Sequence, residues 1–228
     1  MIEIIPAILP KSYLDLEDHL ARVQGVTKAV QIDVVDGIFA PNTTWPYVGR
    51  DSFETILSEE NGLPFWEDFD FEIDLMVQNS KDAALEWIRA GASKIIIHIE
   101  SPDDRGALEA IQDVRTGEVP VEVILAISQE TPVEKLETLA HLASGIQVMG
   151  IDHIGFQGEP FDVHTYEKLR TLKEKYPNHA LSVDGAVTQD NAKALIDAGA
   201  TRFVVGSAIW SGDAKDNYYT LKSIVDSH

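Results

Sequence analysis

Short apolar runs rich in isoleucine and valine alternate with amphipathic segments along the chain, and this alternation constrains the fold more than any other feature. The predicted strands are 2–9, 29–34, 71–77, 94–99, 121–127, 146–151, 180–183 and 202–205. The predicted helices are 12–23, 51–57, 81–90, 102–114, 132–142, 163–175, 189–198 and 214–225. Strict alternation of this kind implies parallel strands that are joined by right-handed crossovers.

The number of strand–helix units selects a closed barrel. Eight units in 228 residues fit a barrel better than an open doubly wound sheet, which usually has about five or six strands. No GxGxxG motif follows the first strand, and this also counts against the open sheet. The sequence therefore predicts an α/β fold, a single (β/α)8 TIM barrel in which residues 1–228 form one domain. The long connection 41–67, with Trp45 and Trp66, is left open as a lid or a surface insertion.

Several predicted helix boundaries carry capping residues. Asn79 or Ser80 is placed to cap the helix at 81–90, and Pro132 falls in the first turn of the helix at 132–142, a position that proline favours. Gly91 and Gly199 follow predicted helices and supply the backbone conformation that ends a helix before a strand.

The charge balance excludes several classes of partner. The chain has 38 Asp and Glu residues against 18 Lys and Arg residues, a formal net charge of −20 at pH 7. A field of this sign repels phosphate backbones and anionic membranes, so neither nucleic acid nor a membrane is an expected partner. Cysteine is absent, which rules out disulfides and thiolate chemistry. The segment 1–15 lacks the pattern of a signal peptide and no apolar run could span a bilayer, so a cytoplasmic location is expected.

Polar side chains at the ends of predicted strands indicate where chemistry would occur, because barrels of this type carry their active sites at the C-terminal ends of the strands. Gln31 and Asp33 share one face of the second strand, since side chains alternate along a strand. Asp74 lies in the third strand and Asp184 ends the seventh. Three acids that converge on one mouth repel one another unless they share a cation or a proton, so the sequence predicts a functional cluster. Asp36, by contrast, is predicted to be a turn residue.

Glycine turns follow the last three predicted strands. Gly158, Gly185 and Gly206 lie after these strands, and a short helix is expected to begin at Gly206 and Ser207. Backbone N–H groups can approach an anion closely at such turns, and the N-terminus of a helix favours negative charge. The turns therefore predict a phosphate site that works mainly through backbone amides.

Several short motifs are spread along nearly the whole chain. They occupy 6–9, 33–42, 74–77, 98–100, 148–149, 155–158, 183–185 and 206–209. The stretch Asp-Val-Val-Asp-Gly-Ile-Phe-Ala-Pro-Asn at 33–42 and the stretch Gly-Ser-Ala-Ile at 206–209 are the most specific of them. Together they resemble the ribulose-phosphate 3-epimerase family.

The resemblance implies an enzyme that interconverts ribulose 5-phosphate and xylulose 5-phosphate by moving the proton at C3 through an enediolate. By position, Asp33 and Asp184 are the acid–base pair, and inversion of a carbon needs one such group on each face of the substrate. The family also holds a divalent metal with two histidines and these two aspartates. The implied substrate and phosphate contacts are Ala7, Met76, His98, Met149, Gly155, Phe156, Gln157, Gly158, Gly185, Ala186, Gly206 and Ser207.

The chain departs from the family pattern in the metal shell, where Gln31 and Asp74 stand in place of the two histidines. Gln31, Asp33, Asp74 and Asp184 offer only oxygen donors, which suit Mg²⁺ or Mn²⁺ better than Zn²⁺. The alternative is a site that has lost its metal; no organic cofactor is expected. Ala7, Val35 and Ala186 replace a serine, a methionine and a glycine of the family motifs, and the loop at 152–154 is one residue longer.

Three functional hypotheses stay open at this point. The leading one is a sugar-phosphate 3-epimerase-like enzyme with a small sugar phosphate as its partner, and a homo-oligomer is left open. The rivals are a different phosphosugar isomerase or lyase, and a non-catalytic phosphosugar-binding protein. Related decarboxylase and formaldehyde-fixing barrels carry a DxKxxD motif, whereas no lysine lies between Asp33 and Asp36. His98 is expected to be a polar pocket residue and His153 a bystander.

Overall fold

The computed structural model describes residues 2–115 and 121–227. Eight parallel strands close into a barrel in the order β1 to β8, which confirms the predicted (β/α)8 architecture. The strands are β1 (Glu3–Ile8), β2 (Ala29–Val35), β3 (Asp70–Met76), β4 (Lys94–His98), β5 (Glu122–Ile127), β6 (Gly145–Met149), β7 (Ala180–Asp184) and β8 (Arg202–Val205). The helices are α1 (Tyr13–Val23), α2 (Asp51–Leu57), α3 (Ser80–Arg89), α4 (Asp104–Arg115), α5 (Thr165–Lys175), α6 (Ala192–Ala198), α7 (Ser207–Trp210) and α8 (Ala214–Asp226). Within these two ranges, no helix combines the length and the apolar character needed to cross a bilayer.

The predicted helix at 132–142 is wrong in type. The segment forms two 3₁₀ turns, Val133–Leu136 and Ala140–Leu142. Its apolar residues recur at every third position, a spacing that matches the three residues per turn of a 3₁₀ helix. The residues at this spacing are Val133, Leu136, Leu139 and Leu142, and all of them pack in the core cluster.

The residues predicted to bound the helices α3 and α6 act as expected, whereas Pro132 precedes a 3₁₀ turn instead of an α-helix. The Asn79 side chain accepts a hydrogen bond of 3.3 Å from the Asp82 amide and caps α3. Gly199 ends α6 with a φ of 113°, and Gly91 follows α3 with a φ of 102°. A side chain would strain the backbone at such angles, so glycine is the natural residue there.

The connection 41–67 contains α2 and is fixed to the barrel by Trp45. This side chain is fully buried, and its ring contacts those of Tyr13, Phe53 and Trp87 at centroid distances of 5.9, 5.4 and 5.6 Å. The Trp45 indole N–H also donates to the Ser52 hydroxyl at 2.8 Å. The start of the connection is therefore part of the packed core, whereas Trp66 near its end is 65% exposed.

Polar groups also fill the floor of the barrel, at the N-terminal ends of the strands. The Arg202 guanidinium donates to both carboxylate oxygens of Glu72, at 2.5 and 2.6 Å, and to the Ser182 hydroxyl at 3.0 Å. Lys94 approaches the same carboxylate at 3.0 Å. Because side chains alternate along a strand, the same faces of β3 and β7 carry Glu72 and Ser182 at the floor and aspartates two residues further on. Three small apolar clusters lie apart from the main core. Their members are Ile96, Ile124, Ala126 and Met149 in the first, Ile5, Ala7 and Val204 in the second, and Val35, Ala40 and Met76 in the third.

Candidate active site

A cavity opens at the C-terminal ends of the strands. Its wall comes from β1, β2, β3, β6 and β7 and from the loops that follow β6, β7 and β8. Asp33, Glu159 and Asp184 are acidic, and among the described residues that line this cavity there is no lysine or arginine. The complete lining is Ala7, Leu9, Asp33, Met76, Met149, Ile151, Gly155, Phe156, Gln157, Gly158, Glu159, Asp184, Gly185, Ala186, Gly206 and Ser207.

The cavity brings together the substrate contacts implied by the sequence, with one exception. His98 is fully buried and lies outside the lining. Its ring is held by Asp74 at 2.9 Å and is packed against Phe39, with ring centroids 5.4 Å apart. His98 therefore differs from the expected pocket residue because its neighbours cover it. Leu9, Ile151 and Glu159 line the cavity but were missed, although Leu9 belongs to a motif segment and the other two lie within two residues of one.

Asp33, Asp74 and Asp184 converge in a buried carboxylate cluster below this cavity. Asp33 and Asp74 are register partners on β2 and β3, and Asp184 ends β7. One oxygen from each of the three carboxyl groups lies within 4.8 Å of the others. The residues are only 6%, 0% and 8% exposed, so solvent screens their mutual repulsion poorly.

Two buried glutamines connect these carboxylates. Gln31 Nε2 donates to Asp33 Oδ1 at 2.8 Å and to Asp184 Oδ2 at 2.7 Å. Gln147 Nε2 donates to Asp74 Oδ2 at 3.0 Å and to Asp184 Oδ2 at 3.1 Å. Gln147 was missed at the sequence level, although a glutamine inside the apolar strand β6 is the same signal that drew attention to Gln31 on β2.

Burial and repulsion shift the acidities of the cluster. Burial, followed by the charges of Asp184 and Asp74, raises the pKa of Asp33 well above its usual value. Burial and the charge of Asp74 raise the pKa of Asp184 to about 8, against hydrogen bonding from Gln31. Both shifts favour the protonated carboxyls, as expected for acids that lie close together in a site with little solvent.

His98 places a basic group beside the cluster. Burial opposes its charged form, but the charge of Asp74 and the hydrogen bond to it outweigh burial and raise the pKa of His98. Its second nitrogen, Nδ1, lies 3.9 Å from Glu100 Oε2. The imidazole is thus flanked by two carboxylates, whose charges raise its pKa.

The donor set fits a divalent cation. Among the described residues, Asp33, Asp74 and Asp184 are the only group of acidic or imidazole side chains close enough to share one. The carbonyl oxygens of Gln31 and Gln147 are buried and accept no hydrogen bond within the described part of the chain. Carboxylate and amide oxygens are the donors that Mg²⁺ and Mn²⁺ prefer.

The glycine turns close tightly around the mouth. The Gln157 side chain donates to the Ala7 carbonyl at 3.1 Å, and a Cβ at Gly206 would lie 2.7 Å from the Gln157 amide nitrogen. A side chain at residue 206 would therefore displace the Gln157 amide from this position. Asn42 donates to the Gly155 carbonyl at 2.7 Å and joins the connection 41–67 to the loop after β6. His153 is outside the lining, with its ring 76% exposed and 3.4 Å from a Glu159 oxygen.

The family model described as "Ribulose-phosphate 3 epimerase family" matches residues 3–210. This chain belongs to the ribulose-phosphate 3-epimerase family. It is 26% identical over 228 residues to the chloroplastic ribulose-5-phosphate-3-epimerase of Arabidopsis thaliana, a match that covers 98% of this chain and 76% of that protein. It is 29% identical over 225 residues to the ribulose-phosphate 3-epimerase of Treponema pallidum, covering 96% of this chain and 93% of that protein.

Solved structures of other proteins share the fold of this epimerase-family chain. KGPDC from Streptococcus mutans superposes with a TM-score of 0.73 and 13% identity, covering 99% of this chain and 98% of that one. The 3-hexulose-6-phosphate synthase from Salmonella typhimurium gives a TM-score of 0.71 and 12% identity, with complete coverage of both chains. At these identities the likeness shows the barrel fold alone.

Proposed function

We propose that this chain inverts C3 of a ketose phosphate of the ribulose 5-phosphate and xylulose 5-phosphate type, with Asp33 and Asp184 as the acid–base pair. The observation that carries the proposal is that these two carboxyls, which come from β2 and β7, line one cavity at the C-terminal ends of the strands. Inversion of a carbon requires a proton to leave one face and another to arrive on the opposite face.

The raised pKa values of the pair suit this role. Burial and mutual repulsion raise the pKa values of Asp33 and Asp184, and a bound cation would lower them again. Between these opposing effects, one carboxyl can hold a proton at neutral pH while the other is ionised. The ionised carboxylate takes the C3 proton, and the protonated carboxyl donates to the other face of the resulting enediolate. The roles exchange in the reverse reaction, so the same pair serves both directions.

The groups around the pair support the same chemistry. A divalent cation, for which Gln31, Asp33, Asp74 and Asp184 are the proposed ligands, would supply positive charge to the substrate oxygens that become negative. The oxygen donors favour Mg²⁺ or Mn²⁺ over Zn²⁺. Met76 and Met149, each 3% exposed, give the cavity an apolar wall.

We propose that the phosphate group binds to the backbone at Gly158, Gly185, Gly206 and Ser207. These residues line the cavity, and no cationic side chain is found in its described lining. The formal net charge of −20 provides no general attraction for an anion, so local N–H groups must hold it.

The proposal is tested by incubating the protein with ribulose 5-phosphate and Mg²⁺ or Mn²⁺ in deuterated water. Xylulose 5-phosphate is measured with a coupled assay and exchange of the C3 proton by NMR. Asp33→Asn and Asp184→Asn are each expected to lower epimerisation by at least about 10²–10⁴-fold, and one of them should still exchange the C3 proton of a given epimer. Asp70→Asn is the matched control, because Asp70 begins β3 at the opposite end of the barrel and is exposed.

The outcomes separate the rival functions. Wild-type protein that neither epimerises a pentulose phosphate nor exchanges its C3 proton would refute the epimerase proposal. Binding of the sugar phosphate without exchange would favour a non-catalytic binding protein. Cleavage or decarboxylation of a phosphosugar would favour the lyase alternative. The sequence counts against that alternative, because two valines lie between Asp33 and Asp36, where such barrels carry a lysine.

A further inference from the structure

Gln147 contacts two carboxylates of the cluster but is not among the four proposed ligands of the cation. It is fully buried in the middle of β6. Its Nε2 donates to Asp74 and Asp184, a pair of carboxylates that Gln31 does not connect. Its Oε1 accepts no hydrogen bond from any residue that the structure describes.

An amide oxygen in this state is unfavourable, because a buried acceptor without a partner loses its hydration and gains nothing in return. A leucine would fill a similar volume without that penalty. Gln31 shows the same arrangement, with its amide nitrogen on two carboxylates and its oxygen without a partner among the described residues. Two such amides around one carboxylate cluster suggest a ligand that would use the free oxygens.

The hydrogen bonds that the two amides make are close in length to the spacing of neighbouring ligands in a metal coordination shell. In an octahedral Mg²⁺ site with bonds of about 2.1 Å, neighbouring ligand atoms lie about 3.0 Å apart. The Gln147 nitrogen lies 3.0 and 3.1 Å from its two carboxylate oxygens, and the Gln31 nitrogen lies 2.7 and 2.8 Å from its own. The terminal amide torsion is broad. A half turn would therefore exchange nitrogen for oxygen at nearly the same position.

We propose that Gln147 is a fifth oxygen donor for a divalent cation, beside Gln31, Asp33, Asp74 and Asp184, and that its amide turns over when the cation binds. Without a cation, the NH₂ groups of Gln31 and Gln147 hold the carboxylates together. With a cation, the two amide oxygens complete the shell. The inference rests on the proposed metal site of the epimerase, but it concerns cation binding and can be measured without turnover.

Five oxygen donors also determine which cation is preferred. A shell of five protein oxygens with room for one more group suits six-coordinate Mg²⁺ and Mn²⁺, whereas Zn²⁺ usually takes about four ligands and favours nitrogen and sulfur. Removal of the Gln147 oxygen is therefore expected to weaken Mn²⁺ binding more than Zn²⁺ binding.

The test is a titration of the purified chain with Mn²⁺, in which the EPR signal of free Mn²⁺ reports binding. Gln147→Leu is expected to weaken Mn²⁺ binding by about 10- to 100-fold. Gln147→Glu keeps an oxygen donor but has no N–H, so it is expected to bind Mn²⁺ at least as tightly as the wild type. The matched control is Gln129→Leu. Gln129 is partly buried, its Oε1 is buried and accepts no hydrogen bond from any described residue, and its Nε2 donates to the Met149 carbonyl and the Thr165 hydroxyl instead of a carboxylate.

Two results would overturn the inference. The first is Mn²⁺ binding by Gln147→Leu at the wild-type affinity, or no binding by any form of the protein. The second is a Gln147→Glu variant that binds as weakly as Gln147→Leu, which would mean that Gln147 acts only by donating hydrogen bonds. Failure of the epimerase proposal alone would give a different result. Mn²⁺ would still bind and its binding would still depend on Gln147, but the C3 proton of the substrate would not exchange.

Discussion

Asp184→Asn is expected to stabilise the metal-free protein while it removes the proposed activity. Burial and the neighbouring Asp74 charge raise the pKa of Asp184 from 3.8 to about 8. A carboxyl whose pKa is higher in the folded state than in the unfolded state makes folding less favourable as the pH rises. This penalty is absent below about pH 4, where both states are protonated, and is complete above about pH 8.

The size of the penalty follows from the shift. A solution at pH 7 is about three units above the pKa of this carboxyl in the unfolded chain. Since each unit is worth about 1.4 kcal/mol, the penalty on folding is about 4 kcal/mol. Asparagine has the same shape, carries no charge, and can still accept the hydrogen bond that Gln31 donates to Asp184. We therefore expect Asp184→Asn to raise the free energy of unfolding by about 2–4 kcal/mol at pH 7.

Urea unfolding with a chelator at several pH values between 5 and 8 measures this effect. The free energy of unfolding of the wild type should fall across that range more steeply than that of Asp184→Asn. Excess Mn²⁺ should restore the stability of the wild type, because a ligand that binds only the folded state stabilises it, and should have less effect on the variant. Asp70→Asn serves again as the control. If Asp184→Asn is no more stable than the wild type at pH 8 with chelator, the account of the carboxylate cluster is wrong.

Two further predictions concern stability away from the carboxylates. Glu72→Leu removes the buried carboxylate that Arg202 and Lys94 share, and leaves these cations only the exposed carboxylates of Glu3 and Glu122. It should destabilise by about 5 kcal/mol, whereas Arg202→Met leaves Glu72 its contact with Lys94 and should cost about 3 kcal/mol. Chemical denaturation measures both, and equal losses would contradict the idea of a shared acceptor. Ala186 has a φ of 54°, so Ala186→Gly should stabilise the chain by about 0.5–1 kcal/mol. A lower melting temperature for this variant would show that the turn carries no strain.

Most of the fold could be predicted because the pattern of apolar residues reports it directly. The strand β8 begins and ends at the predicted residues, and so does the helix α2. The prediction of an α-helix at 132–142 was wrong because apolar residues that recur at every third position also fit a loose α-helical pattern. Only the packed structure shows that the chain forms 3₁₀ turns there.

The convergence of Asp33, Asp74 and Asp184 could also be predicted, since the ends of parallel strands in a barrel meet at one face. How deeply each side chain is buried could not be predicted from the sequence. His98 belongs to a recognised motif segment but is covered by Phe39 and held by Asp74. That position depends on contacts between residues that are far apart in the sequence.

The sequence by itself determined the barrel, the family and the strand ends that supply the acids, because alternation and local motifs are properties of neighbouring residues. The tertiary structure alone decided which polar groups meet. Gln147 lies 37 residues before Asp184 and 73 residues after Asp74, yet its side-chain amide donates a hydrogen bond to each of them. Such an arrangement depends on barrel closure and strand register, which place inward-facing side chains of separate strands within hydrogen-bonding distance.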